Sequence, residues 1–383
     1  MRTTGLRLVA GLAVAGLVLT ACGGDDDTTD AADTTEDTSE SDDSSEEEDA
    51  AAEDATVGVI LPDSASSARW ESADRRFLQE AFDAAGVEAD IQNAEGETST
   101  FQTIADGMIS GGVNALVIVN LDSETGAAVI DKAADAGIPT IDYDRLTLNG
   151  GAEYYVSFDN VAVGTAIGEG LVSCLEEDGV TEGDVVLLNG APTDNNATLF
   201  KEGYETAITE AGYGIADDQS VPDWDNTQAG TIFEQIFTAT GGDFVGVASA
   251  NDGLGGAVVS VLERNGLAGE IPVTGQDATD EGLQRVLLGT QCVTVYKAVK
   301  AEAEAAAELA VALARGDRET ADELASDTIE DTESGEQVPS VLLEPEPIFA
   351  ENVQDVVADG YTTADNLCTS EELQQACEEY GVE

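Results

Sequence analysis

The sequence predicts an α/β protein built as two parallel-sheet lobes that share a crevice, and three observations carry that prediction. From Thr56 onward, short β-branched runs alternate with amphipathic segments of helical length, the pattern of parallel strands joined by crossover helices. The alternation falls into two successive series, each of ordinary domain size. Polar side chains stand at the carboxyl ends of the strand-like runs, where open α/β sheets bind ligands.

The first series opens with VGVIL, followed by a helix over 71–85 that Gly86 ends. EADIQNA, a second helix, ALVIVNL, a third helix ending at Gly137, and PTIDYDRL complete it. The second series runs YYVSFDN, a helix through Cys174, DVVLLNG, a helix from Asn196, a weak strand near Val221 and a helix from Gln228. It continues with FVGVASAND, a helix to Asn265, IPVTGQD and TQCVTVYK. An alanine-rich helix over 298–315, strand-like VPSVLLEPEPI and a short tail close the chain.

The chain has 383 residues, 79 acids, 14 bases and no histidine, a formal charge of -65. A polyanion of this density repels phosphate backbones and anionic headgroups, so no nucleic-acid partner is expected. Without histidine, Ser-His-Asp and Cys-His catalysis and the usual zinc constellations fall away, and no metal or cofactor is expected. The charge has two parts. Residues 25–54 hold 16 acids and no Lys or Arg among Thr, Ser and Ala, a composition that buries too little apolar surface to fold and reads as a tether. Taking those 16 acids, with Arg2 and Arg7, from the totals leaves 63 acids against 12 bases over 55–383, a balance of -51. Only Lys132, Lys201, Lys297 and Lys300 are lysines. Such a surface is tolerable where salt screens it, so we expect a source in high salt.

Arg2 and Arg7 precede an apolar stretch over 8–19 and then Thr20-Ala21-Cys22. The stretch fits a signal-peptide core and is too short to span a bilayer. LTAC followed by Gly-Gly resembles the bacterial lipobox, in which the cysteine thiol receives a diacylglycerol after cleavage. That gives a signal peptide over 1–21, lipidation at Cys22, and a tether over 22–55 that leashes the body to the outer face of the cell membrane through lipid alone. Export permits disulfides among Cys174, Cys292, Cys368 and Cys377. Of three pairings, a local Cys368–Cys377 loop with a long-range Cys174–Cys292 bridge is preferred.

The polar strand ends are Asp63, Asn120, Asp144-Arg145, Asn189, Asn251-Asp252 and Gln276-Asp277. Carboxylate, amide and guanidinium groups each make two hydrogen bonds of fixed geometry, which suits adjacent hydroxyls of a neutral polyol. No GxGxxG or GxxxxGKS stands at a strand-to-helix turn, so a dinucleotide or P-loop site is unsupported. Trp70 and Trp224 flank charged residues; they are either core residues or flat platforms for the C–H face of a sugar.

ARW, IDYDRL, YYVSFDN, NGAPTDNNATLF, ASANDGLGGAV, VTGQDAT and GTQCVTVYK run in this order through the body. On these strings the body resembles bacterial periplasmic pentose- and hexose-binding proteins of ABC importers, nearest the D-xylose-binding group and its glucose- and galactose-binding multiple-sugar relatives. The resemblance implies a type I periplasmic binding protein fold, two Rossmann-like lobes joined by three crossing segments. The first lobe would be 56–147 completed by 297–337, the second 148–296 completed by 349–383, with the third crossing at 338–348. It implies a non-enzymatic monomer that closes on a monosaccharide and delivers it to a permease. Xylose is the preferred ligand, with glucose and galactose as alternatives. Carried over by position, Arg69, Trp70, Asp144 and Arg145 would bind sugar from the first lobe, Asn195, Asn196, Trp224, Asn251 and Asp277 from the second, and Lys297 beside the crossing back. The two tryptophans would clamp opposite faces of the ring. Asp194, Asp252 and Gln276 are read as supports or helix caps.

Three other readings compete. A glycoside hydrolase would use two cleft carboxylates such as Asp144 and Asp277, but stacking and amide residues that enclose a whole monosaccharide argue against it. A repressor sensory domain would need a basic helix-turn-helix ahead of the sheet, where a lipobox stands instead. A sugar sensor for a chemoreceptor or kinase would share every ligand contact and differ only in its docking surface.

Overall fold

A computed structural model describes residues 55–383. The leader, Cys22 and the tether as far as residue 54 lie outside the described residues. Ala55, assigned to the tether from sequence, is buried against the body.

The first lobe begins with β1 (Thr56–Leu61), α1 (Arg75–Ala85), β2 (Glu88–Asn93), α2 (Thr98–Gly111), β3 (Ala115–Ile118), α3 (Ser123–Asp135), β4 (Thr140–Tyr143) and β5 (Tyr154–Phe158). The second holds α4 (Asn160–Glu177), β6 (Asp184–Asn189), α5 (Asn195–Glu210), β7 (Gly214–Ser220), α6 (Asn226–Thr240), β8 (Gly246–Ser249), α7 (Asp252–Arg264), β9 (Thr274–Gln276), α8 (Asp280–Leu287) and β10 (Val293–Tyr296). The chain returns through α9 (Val299–Ala314), α10 (Arg318–Leu324), β11 (Asp327–Glu330) and β12 (Gln337–Leu343). It ends with β13 (Glu346–Ile348), α11 (Val353–Ala358), α12 (Ala364–Leu367) and α13 (Glu371–Tyr380).

The first sheet has the order β11-β12-β5-β4-β3-β1-β2 and is parallel except for the β11/β12 hairpin. Its inner strands β1, β3, β4 and β5 are buried on both faces because helices cover both: α1 and α9 pack on one side, α2 and α3 on the other. Buried Ala303, Ala306, Ala307 and Ala310 let α9 lie close to the sheet and to α1. The second lobe pairs β7-β6-β8 and β9-β10-β13, with a bridge from Val247 to Val273 joining the two sets. Its helices α4 and α5 touch at Gly164 and Gly203. A Cβ added at Gly164 would lie 2.1 Å from the Phe200 carbonyl oxygen, and one at Gly203 2.4 Å from that of Val161. Alanine there would force the helices apart at a cost of about 1–3 kcal/mol. The contact seats the first turns of α5, which carry part of the site.

Three segments cross between the lobes, after β5, after β10 and after β12. The expected boundary at 147/148 differs from this. β5 pairs in parallel with β4, Ile141 opposite Tyr154, and remains in the first sheet, so the chain first crosses at Phe158-Asp159. Likewise β12 pairs with β5, and the third passage is confined to Glu344-Pro345 rather than 338–348. YYVSF is buried throughout, and a fully buried run does not reveal which sheet it joins. Disulfides link Cys174 on α4 to Cys292 before β10, and Cys368 to Cys377 in the C-terminal tail.

Candidate functional site

On the first lobe, the loop after β1 folds around Asp63. Its Oδ1 accepts the N–H groups of Ala65 and Ser66 at 2.7 and 2.5 Å, and Oδ2 accepts the Ser66 hydroxyl at 2.8 Å. Ser66 in turn accepts the Trp70 indole N–H at 3.1 Å, which fixes the ring, and the Arg69 guanidinium lies 4.5 Å from the ring centroid. After β4, Asp144 adopts φ 61° and turns the chain sharply. Asn120 holds that turn by donating to the Arg145 carbonyl and to Thr147 Oγ1. Asp142 accepts from the Thr147 N–H and hydroxyl, and its burial pushes the carboxyl up to about 7.

On the second lobe, Asp194 caps α5 by accepting the Asn196 N–H, receives the Trp224 indole N–H at 3.1 Å, and lies 3.1 Å from Arg145 Nε across the cleft. Asn196 and Phe200, one helical turn apart, share the face of α5 that meets the cleft. Trp224 follows Asp223 in a left-handed pair, φ 54° and 55°. Its ring lies so close over Gly190 that a Cβ there would be 2.0 Å from the ring, so only glycine fits. Asn251 caps α7 through Oδ1 and donates Nδ2 to the Ser66 carbonyl of the opposite lobe at 3.2 Å. Asp277 has φ 92°, and Lys297 lies at the second crossing with Nζ 3.1 Å from Asp144 and 3.5 Å from Asp277.

These side chains surround one small cavity of about 30 Å³ between the lobes, well below the roughly 300–1,000 Å³ typical of small-molecule sites. Nine of the ten residues expected from sequence stand on its wall: Arg69, Trp70, Asp144, Arg145, Asn196, Trp224, Asn251, Asp277 and Lys297. Asn195 does not. It is half-buried at the first position of α5, about 100° around the helix from Asn196. Ser66, Ser67, Phe200, Asp194 and Gln276 also line the wall. Asp194 is both lining residue and cap, whereas Gln276 donates to the Ala250 carbonyl and its Oε1 has no hydrogen-bond partner among the described residues. Phe200 was not expected from sequence, although its place four residues after Asn196 on one helix face is a signal that could have found it; nothing in the sequence distinguished the two serines. Of the other strand-end groups, Asp63, Asn120, Asn189 and Asp252 build the loops behind the wall rather than the wall itself.

The wall carries three cations, Arg69, Arg145 and Lys297, and three carboxylates, Asp144, Asp194 and Asp277. Burial raises the Asp144 carboxyl, but Lys297, Arg69 and Arg145 outweigh it and hold the group well below the usual carboxylate range. The balance leaves no surplus charge for an ionic ligand and many fixed donors and acceptors for hydroxyls. The Ser67 hydroxyl donates to Asp277 Oδ2 at 2.8 Å and Asn196 Nδ2 to the Asp144 carbonyl at 2.8 Å, so both lobes grip each other around the cavity. A wider groove between α1, α9 and α10 is lined by alanines together with charged side chains such as Glu80, Glu304, Glu308 and Arg315.

A family model described as periplasmic binding protein domain matches residues 57–318. The chain belongs to the periplasmic binding protein family. This periplasmic binding protein is 32% identical over 314 residues to the D-xylose-binding periplasmic protein of Escherichia coli (strain K12), covering 81% of this chain and 91% of that one. It is 30% identical over 334 residues to a multiple sugar-binding periplasmic receptor of Rhizobium radiobacter, covering 82% and 93%. Among solved structures, a carbohydrate transporter solute binding protein from Chloroflexus aurantiacus in complex with D-glucose matches with a TM-score of 0.70 and 26% identity, covering 81% of this chain and 97% of that one. The likeness spans both lobes, and the chain is a binding protein of extracytoplasmic type rather than an enzyme.

Proposed function

We propose that this periplasmic binding protein captures a single uncharged monosaccharide by closure of its lobes and presents it to the permease of an ABC importer. The observation that carries the reading is the small enclosed cavity whose three buried cations and three buried carboxylates balance, with an indole from each lobe on its wall. A carboxylate or phosphate on the ligand would upset that balance, whereas ring hydroxyls satisfy it. The ten residues from Arg69 to Lys297 named from sequence, less Asn195, are the contacts, with Trp70 and Trp224 against the faces of the ring. D-xylose is the preferred ligand, supported by the relative that carries that name. D-glucose is the alternative, supported by the solved neighbour in complex with it. The protein acts as a monomer, leashed through lipid on Cys22 to the outer face of the cell membrane.

Calorimetry with D-xylose, D-glucose, D-galactose and D-glucuronate tests the reading. We expect micromolar or tighter binding of at least one neutral sugar, a smaller radius of gyration on saturation, and no binding of the acid. Tight binding of glucuronate with none of the neutral sugars would overturn it. Mass spectrometry of the native N-terminus checks the lipid.

A further inference from the structure

Asp74 and Glu302 lie outside the cavity, yet they determine how Arg69 meets it. Asp74, in the turn that follows Trp70, accepts Arg69 Nε–H through Oδ2 at 2.9 Å and an Nη2–H through Oδ1 at 2.8 Å. Glu302 Oε2, from the first turn of α9, accepts from Nη2 at 2.9 Å. The Tyr143 hydroxyl donates to Asp74 Oδ1 at 2.8 Å and holds that carboxylate in place. A guanidinium has five N–H donors in a rigid fork. Three are thus committed behind the wall. Nη1 remains, 3.1 Å from Asp144 and 4.0 Å from Asp277, both wall residues, with no well-formed hydrogen bond among the described residues.

We propose that Asp74 and Glu302 are positioning residues for ligand capture, locking the Arg69 fork so that Nη1 is aimed at the bound sugar. The inference rests on the monosaccharide reading above. Glu302 is a poor device for stability alone. It is fully buried, its Oε1 has no hydrogen-bond partner among the described residues, and burial pushes its carboxyl well above the usual range, aided by Asp144 and Asp74 and opposed by Arg69 and Lys297. An apolar residue would fill the same space at lower cost. What it supplies is a third fixed point on the fork, so that less side-chain freedom is lost when the ligand arrives.

The test is a double-mutant cycle, read by calorimetry with D-xylose and D-glucose and by nitrogen-15 NMR of the arginine side chains. Glu302→Ala should weaken sugar binding tenfold or more and merge the Arg69 Nη resonances, which slow rotation separates in the wild type. Glu302→Gln should recover most of both losses. In an Arg69→Met background, Glu302→Ala should change affinity by less than twofold. Equal losses in both backgrounds, or unchanged Arg69 resonances in Glu302→Ala, would overturn the proposal. If Glu302→Ala gives no cooperative melt, Glu302→Met takes its place in the cycle. Merging of the Arg69 resonances in a protein that binds neither sugar would uphold the positioning role while removing the monosaccharide reading.

Discussion

Replacing Lys297 by methionine removes one of the two cations, with Arg69, that lie between Asp144 of the first lobe and Asp277 of the second. Its Nζ lies 3.1 and 3.5 Å from the two carboxylates, and the rings of Phe158 and Phe200 lie 5.7 and 5.9 Å from it. At an effective dielectric of about 20, each contact is worth about 5 kcal/mol of Coulomb attraction, much of it offset by desolvation. Removing one partner of a buried pair typically costs about 3–5 kcal/mol; here Asp277 loses its nearer cation, while Asp144 keeps Arg69 at 3.1 Å. In a protein of this size that loss of stability lowers the melting temperature by about 4–7 °C. Affinity suffers too, because the wall would then carry two cations against three carboxylates; we expect at least a tenfold loss for D-xylose or D-glucose. Pairing the change with Asp144→Asn restores the charge balance and should recover most of the melting temperature without recovering affinity. Thermal melts and calorimetry on both variants decide the matter. If Lys297→Met melts within about 2 °C of the wild type, by the same scaling, and binds within twofold, the account of the buried network is wrong.

Trp224→Ala should weaken sugar binding by about 1–3 kcal/mol through loss of a buried aromatic face; an unaltered dissociation constant in calorimetry would take Trp224 out of the site. Stability should fall as pH rises from about 4 to 7, because burial holds Asp142 up at about 7 and Asp252 up at about 6, so the folded chain keeps protons that the unfolded chain has already released. Melting curves across that range should show a shallower decline in Asp142→Asn, and identical slopes would count against the assignment. With 63 acids against 12 bases over 55–383, the urea midpoint should rise between low and molar NaCl as repulsion is screened; a flat response would contradict a surface adapted to salt.

Most of the strands and helices were legible because their apolar periods are unambiguous: VGVIL and ALVIV are buried on every residue that enters the sheet core, and α1 ends where Gly86 takes a left-handed turn. Membership of a lobe was less legible. YYVSF reads as a core strand wherever it lies, and only its pairing with β4 and β12 assigns it to the first sheet. Site residues that announce themselves by chemistry, such as Arg69, Asp144-Arg145 and the two tryptophans, were identifiable in the sequence. Ser66 and Ser67 were not, because their role comes from a loop folded on Asp63 that brings them against the opposite lobe. Nor was Asn195 separable from Asn196, since the helix phase that divides them depends on where Asp194 sets the cap. The Asp74–Arg69–Glu302 group joins residues 233 positions apart, and no local pattern marks such a contact.

Three wall residues, Asp144, Trp224 and Asp277, hold the left-handed backbone angles that favour glycine. Each such residue costs of order 1–3 kcal/mol of folding stability. The side chains offset that strain: Asp144 and Asp277 pair with buried Lys297, and Trp224 packs in the core of the second lobe. Glycine at any of the three would relax the backbone and lose those contacts, so selection for survival on heating and selection for growth on the transported sugar should both hold the larger side chains.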